Sequence, residues 1–196
     1  LNELHGYELQ TDNGSSEEIR NLAALYKFFE PQPSKKPKTM FGWVALAAAK
    51  NDQRYYLNYV HVNDAHIVAT DGHRLHICQN EDDLEPGFYN PTGELVHGPD
   101  FAKYPDYSRI IPSANNRTPV DGIGEPYRNM IEVGNEPAYM FSVGPDVGGT
   151  FNRKYFNDAE ACPQPCTQTL LGKSNENLRM DFRYAGAFAT IMPMRV

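Results

Sequence analysis

Cysteine is scarce: Cys78, Cys162 and Cys166 are the only three in 196 residues. An odd, small count in a chain this long is no disulfide framework and points to reduced thiols. The longest apolar run, Trp43 to Ala49, falls far short of the roughly 18 residues that a bilayer span requires, which excludes a membrane helix. The first ten residues, LNELHGYELQ, begin at Leu rather than Met and lack both a basic and an apolar signal region. A cytoplasmic protein with no membrane partner is the expectation. Positive charge is also in deficit, with 18 Lys and Arg against 25 Asp and Glu and a net charge of −7. That balance disfavours indiscriminate coating of nucleic acid but leaves room for a local basic patch.

Several chemistries are missing their motifs. Gly144-Pro145-Asp146-Val147-Gly148-Gly149 precedes a helical stretch, yet has neither a Gly-Lys-Ser/Thr ending nor the G-x-G-x-x-G pattern. It reads as a turning loop, and no cofactor is expected. Cys162-x-x-x-Cys166 has a spacing that zinc sites use, but a second ligand pair is absent, so no metal is expected. His61 and His66 flank a turn on strands and read as sheet-surface residues. A nucleophilic hydrolase built on Asp71, His73 and a Ser or Cys lacks a Gly-x-Ser-x-Gly elbow. Asp71-Gly72 is better explained as a hairpin turn with glycine at positive φ, presenting His73 and Arg74 just beyond it.

What is present is enough apolar and aromatic residue, 40% and 12%, to build a core. Ser15-Ser16-Glu17-Glu18 has the form of a helix start, and Ile19, Leu22, Leu25, Tyr26 and Phe29 recur at helical spacing. Pro31 to Thr39, with Lys35, Lys36 and Lys38, reads as a basic linker. Residues 1–40 therefore form an N-terminal extension ahead of a compact domain, 41–196, with halves at about 41–112 and 113–196.

The two halves share a grammar. In the first, a short helix over Phe41–Lys50 precedes strands at Tyr55–Val62, His66–Ala69 and Arg74–Gln79, with weaker strands at Phe88–Tyr89 and Glu94–His97. In the second, strands at Met130–Val133 and Tyr139–Val143 lead to a helix from Phe151 to about Ala161. Three strands follow: Cys166–Leu171, Leu178–Tyr184 and Phe188–Met192. Helix then strands, twice, predicts an α+β fold with antiparallel sheets and a helix packed on each duplicated half. Lys50 and Arg54 close the first helical region and Arg153 and Lys154 open the second, a set that can serve as a sequence-independent phosphate track.

Four segments, in order, carry a resemblance. They are Val68-Ala69-Thr70-Asp71-Gly72-His73-Arg74-Leu75, Tyr104-Pro105-Asp106-Tyr107-Ser108-Arg109-Ile110-Ile111-Pro112, Phe151-Asn152-x-x-Tyr155-Phe156-x-Asp158, and the ending Ile191-Met192-Pro193-Met194-Arg195-Val196. From about Phe41 onward the chain resembles the bacterial sliding clamp, the beta subunit of DNA polymerase III, in a shortened phage- or mobile-element-like version.

The resemblance implies a sliding-clamp-like module and a pocket for the short linear motifs of polymerases and clamp-loader-type clients. Its walls would be Thr70, Gly72, His73, Arg74, Leu75, Pro105, Arg109, Ile110, Asn152, Tyr155, Thr190, Met192, Pro193, Met194 and Arg195. Soft methionine and aliphatic side chains suit Leu or Phe anchors. It further implies a non-enzymatic processivity factor, a cyclic homo-oligomer around double-stranded DNA with Lys50, Arg54, Arg153 and Lys154 facing the duplex. The alternative is a clamp-like regulator or decoy that binds client peptides without encircling DNA.

Overall fold

The computed structural model describes residues 36–97, 104–111, 117–119, 128–142, 148–173 and 176–195, all within the unit Pro33–Val196. The helix expected after Ser15 lies outside the described residues. The first described helix, α1, spans Met40–Ala45 and is capped by the Thr39 hydroxyl, which accepts from Gly42 N at 3.0 Å. It ends five residues before the expected boundary, and looser turns carry the chain to Ala48.

Tyr55–Val62 is not one strand. Tyr55–Asn58 is a 3-10 turn and only Val60–Val62 forms the strand β1. The cause is a side-chain clasp: Asn58 Oδ1 accepts from Asp52 N at 2.9 Å while Asn58 Nδ2 donates to Asp52 O at 3.0 Å. Local side-chain bonding of this kind competes with the strand ladder and overrides β-propensity. Strands β2 (His66–Thr70), β3 (Arg74–Gln79) and β4 (Gly87–Tyr89) follow near their expected places, and the Glu94–His97 strand reduces to a bridge between Leu95 and Tyr89.

Farther along come β5 (Arg117–Pro119), β6 (Arg128–Val133), β7 (Glu136–Ser142) and β8 (Gly148–Asn152), then helix α2 (Arg153–Glu160). Gly148 and Gly149, expected in a loop, pair with β7 instead. A Cβ on Gly149 would come within 3.1 Å of the Phe151 ring, so a larger residue there would crowd the ring. The chain closes with β9 (Cys166–Lys173), β10 (Glu176–Tyr184) and β11 (Ala187–Ile191).

The strands form an eight-stranded sheet in the order β4-β1-β2-β3-β11-β10-β9-β5 and a three-stranded sheet, β6-β7-β8, every pairing antiparallel. The large sheet is symmetric in plan. A helix followed by β1-β2-β3 meets, across the β3–β11 seam, a helix followed by β9-β10-β11. This is the α+β, antiparallel architecture with a helix on each half that the alternation of elements dictates.

Alternation along the strands separates two cores. Ile67, Ala69, Cys78, Met180, Phe182, Ala189 and Ile191 face the helices and pack with Trp43, Val44, Phe156 and Ala159. Val68, Leu75 and Ile77 point to the other face, which Leu57, Tyr104 and Ile110 cover. β2 and β3 are thus buried on both sides, and β3 reads as a nearly unbroken buried run. Trp43 ties the halves together: its Nε1 donates to the carbonyls of Asp158 and Ala159 at 3.0 and 3.2 Å, and its ring stacks on His76 at 4.5 Å. Among the described residues, no helix is long and apolar enough to cross a membrane.

Candidate peptide-binding groove

The hairpin between β2 and β3 is built by its own side chains. Asp71 Oδ1 accepts from His73 N at 2.9 Å and Arg74 N at 3.1 Å, and Thr70 Oγ1 accepts from Gly72 N at 3.0 Å. Gly72 adopts φ +91°, as the Asp-Gly pair predicts. A Cβ there would also lie 3.2 Å from the Arg54 guanidinium, a tight contact.

The carboxyl end of the chain meets this hairpin. Past β11, Met192 N donates to His73 O at 2.8 Å and Met194 N donates to Thr150 O at 2.7 Å. The Met-Pro-Met segment therefore bridges the hairpin of the large sheet and strand β8 of the small one. Met192 is 43% exposed, high for a methionine held by backbone bonds.

The expected wall residues divide by sheet face. The register pairs Thr70 with Leu75 and Leu75 with Thr190, so these three share the face covered by Ile110. Leu75 is sealed in the core, and Thr190 is buried with its hydroxyl donating to Asp181 Oδ1 at 2.6 Å. Neither side chain is therefore at the surface. Pro105 and Arg109 are exposed on the segment that crosses this face, Arg109 pairing with Asp106 at 3.2 Å.

Arg74, Asn152 and Tyr155 lie on the helix side. Arg74 is buried, with Nε 2.9 Å from Asp71 Oδ2, Nη1 2.5 Å from Asp158 Oδ2, and Cζ 4.3 Å above the Tyr155 ring. Asn152 caps α2, its Oδ1 accepting from Lys154 N and Tyr155 N at 2.9 and 3.3 Å. Burial, then the neighbouring Asp71 carboxylate, pushes the Tyr155 phenol above its ordinary pKa. His73, at the hairpin tip, accepts from Met192 N through its carbonyl, and the tail runs on through Pro193, Met194 and the exposed Arg195. Asp71 and Asp158, which hold Arg74, are not among the expected wall residues, although both stand in the quoted segments.

The four expected DNA-facing cations differ in exposure and pairing. Lys50 is exposed. Arg54 pairs with Asp52 at 2.9 Å, holding that half-buried carboxyl down to about 2, and lies against the β2–β3 hairpin. Arg153 is only 7% exposed, because it occupies a core-facing position of α2. Lys154 is 63% exposed and reaches back to Asp158 at 2.5 Å. Among the described residues, no group of three or more His, Cys, Asp or Glu is placed to hold a metal.

No protein-family model matches the sequence. No curated protein matches it either. Solved structures do. The chain is similar to a DNA polymerase sliding clamp from Pseudomonas aeruginosa at TM-score 0.51 and 19% identity, over 80% of this chain and 64% of that one. It is similar to the Bacillus subtilis sliding clamp at TM-score 0.52 and 13% identity, over 80% and 61% of the respective chains. The Bartonella birtlesii clamp, solved bound to griselimycin, aligns at TM-score 0.51 and 19% identity, over 80% and 63%. The fold is that of the bacterial sliding clamp. The chain spans less than two thirds of the length of these three clamps.

Proposed function

We propose that the protein is a clamp-like tether: it docks a short linear peptide of a replication partner in the groove between the β2–β3 hairpin and the Met192–Arg195 tail, and holds that partner at DNA. One observation carries this reading. The two backbone bonds from Met192 to His73 and from Met194 to Thr150 bring the hairpin and the tail to one surface, although they lie far apart in sequence. Adaptable methionine beside fixed polar groups is a surface that accepts Leu or Phe anchors. Binding of this kind breaks no bond, so the protein is a non-enzyme that uses no cofactor.

One module of this size is too small to surround a duplex. A head-to-tail interface that closes would generate a cyclic homo-oligomer, and topological linkage would then need only weak, sequence-independent phosphate contacts. The partners are double-stranded DNA, a polymerase and clamp-loader-type clients, in a bacterial or phage-infected cytoplasm. The second reading is a decoy that keeps the groove and forgoes the ring. The burial of Arg153 and the pairing of Arg54 favour it, since they weaken the basic track.

Light scattering with and without circular DNA tests the tether. A ring predicts a mass of several protomers and retention on circular DNA that is lost on linearisation. A monomer at high concentration with no DNA retention defeats the ring and leaves the decoy.

A further inference from the structure

We propose that Glu136 selects the charge of the docked peptide, favouring a lysine or arginine at the end of the groove beside α2 and disfavouring an acidic residue there; this rests on the groove reading above. Glu136 opens β7, and alternation puts it on the face shared by Ala138 and Met140. The register pairs Ala138 with Asn152 and Met140 with Thr150, so that face is also the face of the helix-capping asparagine. Met194 is bonded to the backbone of the same Thr150.

The contact is direct. Glu136 Oε2 accepts from Asn152 Nδ2 at 2.6 Å. Because Asn152 Oδ1 is already fixed by the backbone of Lys154 and Tyr155, the carboxylate is pinned against the start of α2 rather than free to swing away. Its charge is felt at the Tyr155 hydroxyl, less than burial, Asp71 and the opposing Arg74.

The nearby cations are spoken for. Lys154 Nζ goes to Asp158, and Arg74 goes to Asp71 and Asp158. Among the described residues none forms an ion pair with Glu136, which is exposed. An exposed carboxylate that is oriented, un-neutralised and beside Asn152 and Tyr155 is a rim charge of the kind that sorts partners rather than supplying most of the affinity.

The test separates charge selection from the simpler role of holding Asn152. Glu136→Gln keeps an acceptor oxygen for Asn152 Nδ2 and removes only the charge. Fluorescence polarisation is read with four labelled decapeptides that share Leu and Phe anchors and carry Lys or Glu on one flank or the other. The expected result is that the wild type binds one Lys-flanked peptide about three- to fivefold tighter than its Glu counterpart, the size of a rim ion pair. That preference disappears in Glu136→Gln, with the melting temperature unchanged. Binding without charge preference in the wild type, or a preference that persists in Glu136→Gln, overturns the inference and leaves the groove standing. Failure of all four peptides to bind overturns the groove and the inference together.

Discussion

Arg74 and Asp158 are separated by 84 residues and meet almost out of reach of water: Nη1 stands 2.5 Å from Oδ2, and each side chain is 5% exposed. The pair joins the β2–β3 hairpin to α2, the two elements that carry the polar residues of the proposed groove. Removing one member of a buried pair leaves the other charge uncompensated. Asp158→Ala should cost about 3 kcal/mol of stability, tempered because Arg74 keeps Asp71. Urea unfolding measures it; a change below about 0.5 kcal/mol, as at an exposed pair, would mean the strut carries little.

His76 gives the fold a pH dependence. It is fully enclosed, with Nδ1 3.0 Å from Trp43 O, and burial depresses its pKa from 6.5 to about 4. A histidine with a lowered folded-state pKa stays neutral in the fold while the unfolded chain takes up a proton. Stability is therefore complete above about pH 6.5 and declines as the pH falls toward about 4, by a few kcal/mol in all. Burial shifts His61 in the same direction. Melting temperatures between these limits should fall on acidification, and His76→Gln should flatten the slope; a slope unchanged in that variant would assign the effect elsewhere.

Gly72→Ala should damage the groove more than the fold. The residue must hold φ +91°, and its new Cβ would press on the Arg54 guanidinium at 3.2 Å. The expected loss is about 1 kcal/mol of stability, together with weaker peptide binding because His73 moves. Binding equal to wild type in a folded Gly72→Ala protein would remove the hairpin from the site.

Thr190→Val separates structural from contact roles within the expected site. Its hydroxyl serves the fully buried Asp181, so losing it should cost about 1–3 kcal/mol. Peptide affinity should change less than about twofold, as no anchor touches a buried hydroxyl. A large affinity loss with stability intact would place Thr190 on the contact surface instead.

Much of the fold is legible because it is locally encoded. The β2–β3 hairpin is announced by Asp71-Gly72, and the buried strands β2, β3 and β11 by their branched and aromatic residues. The failures have local causes too. Asn58 folds back on Asp52 and breaks the expected long strand. Gly148 and Gly149 look like a loop until β7 pairs with them, a partnership no local pattern announces. The candidate site's residues are legible only through the four segments that resemble the sliding clamp, since spacing says nothing of what meets in space. Charge patterning misleads at Arg153, where helical phase turns a basic residue inward. Glu136 carries no sequence signal at all; the pairing of Ala138 with Asn152, two residues farther along β7, is what brings it within hydrogen-bond reach of that asparagine.

Isothermal titration of the purified protein with a Leu- and Phe-anchored peptide, repeated on Met194→Ala and His73→Ala, addresses the groove most directly. Saturable binding that weakens about tenfold or more in each variant, with melting temperatures preserved, is the predicted result. Binding of equal strength in all three proteins, or none in the wild type, would contradict it.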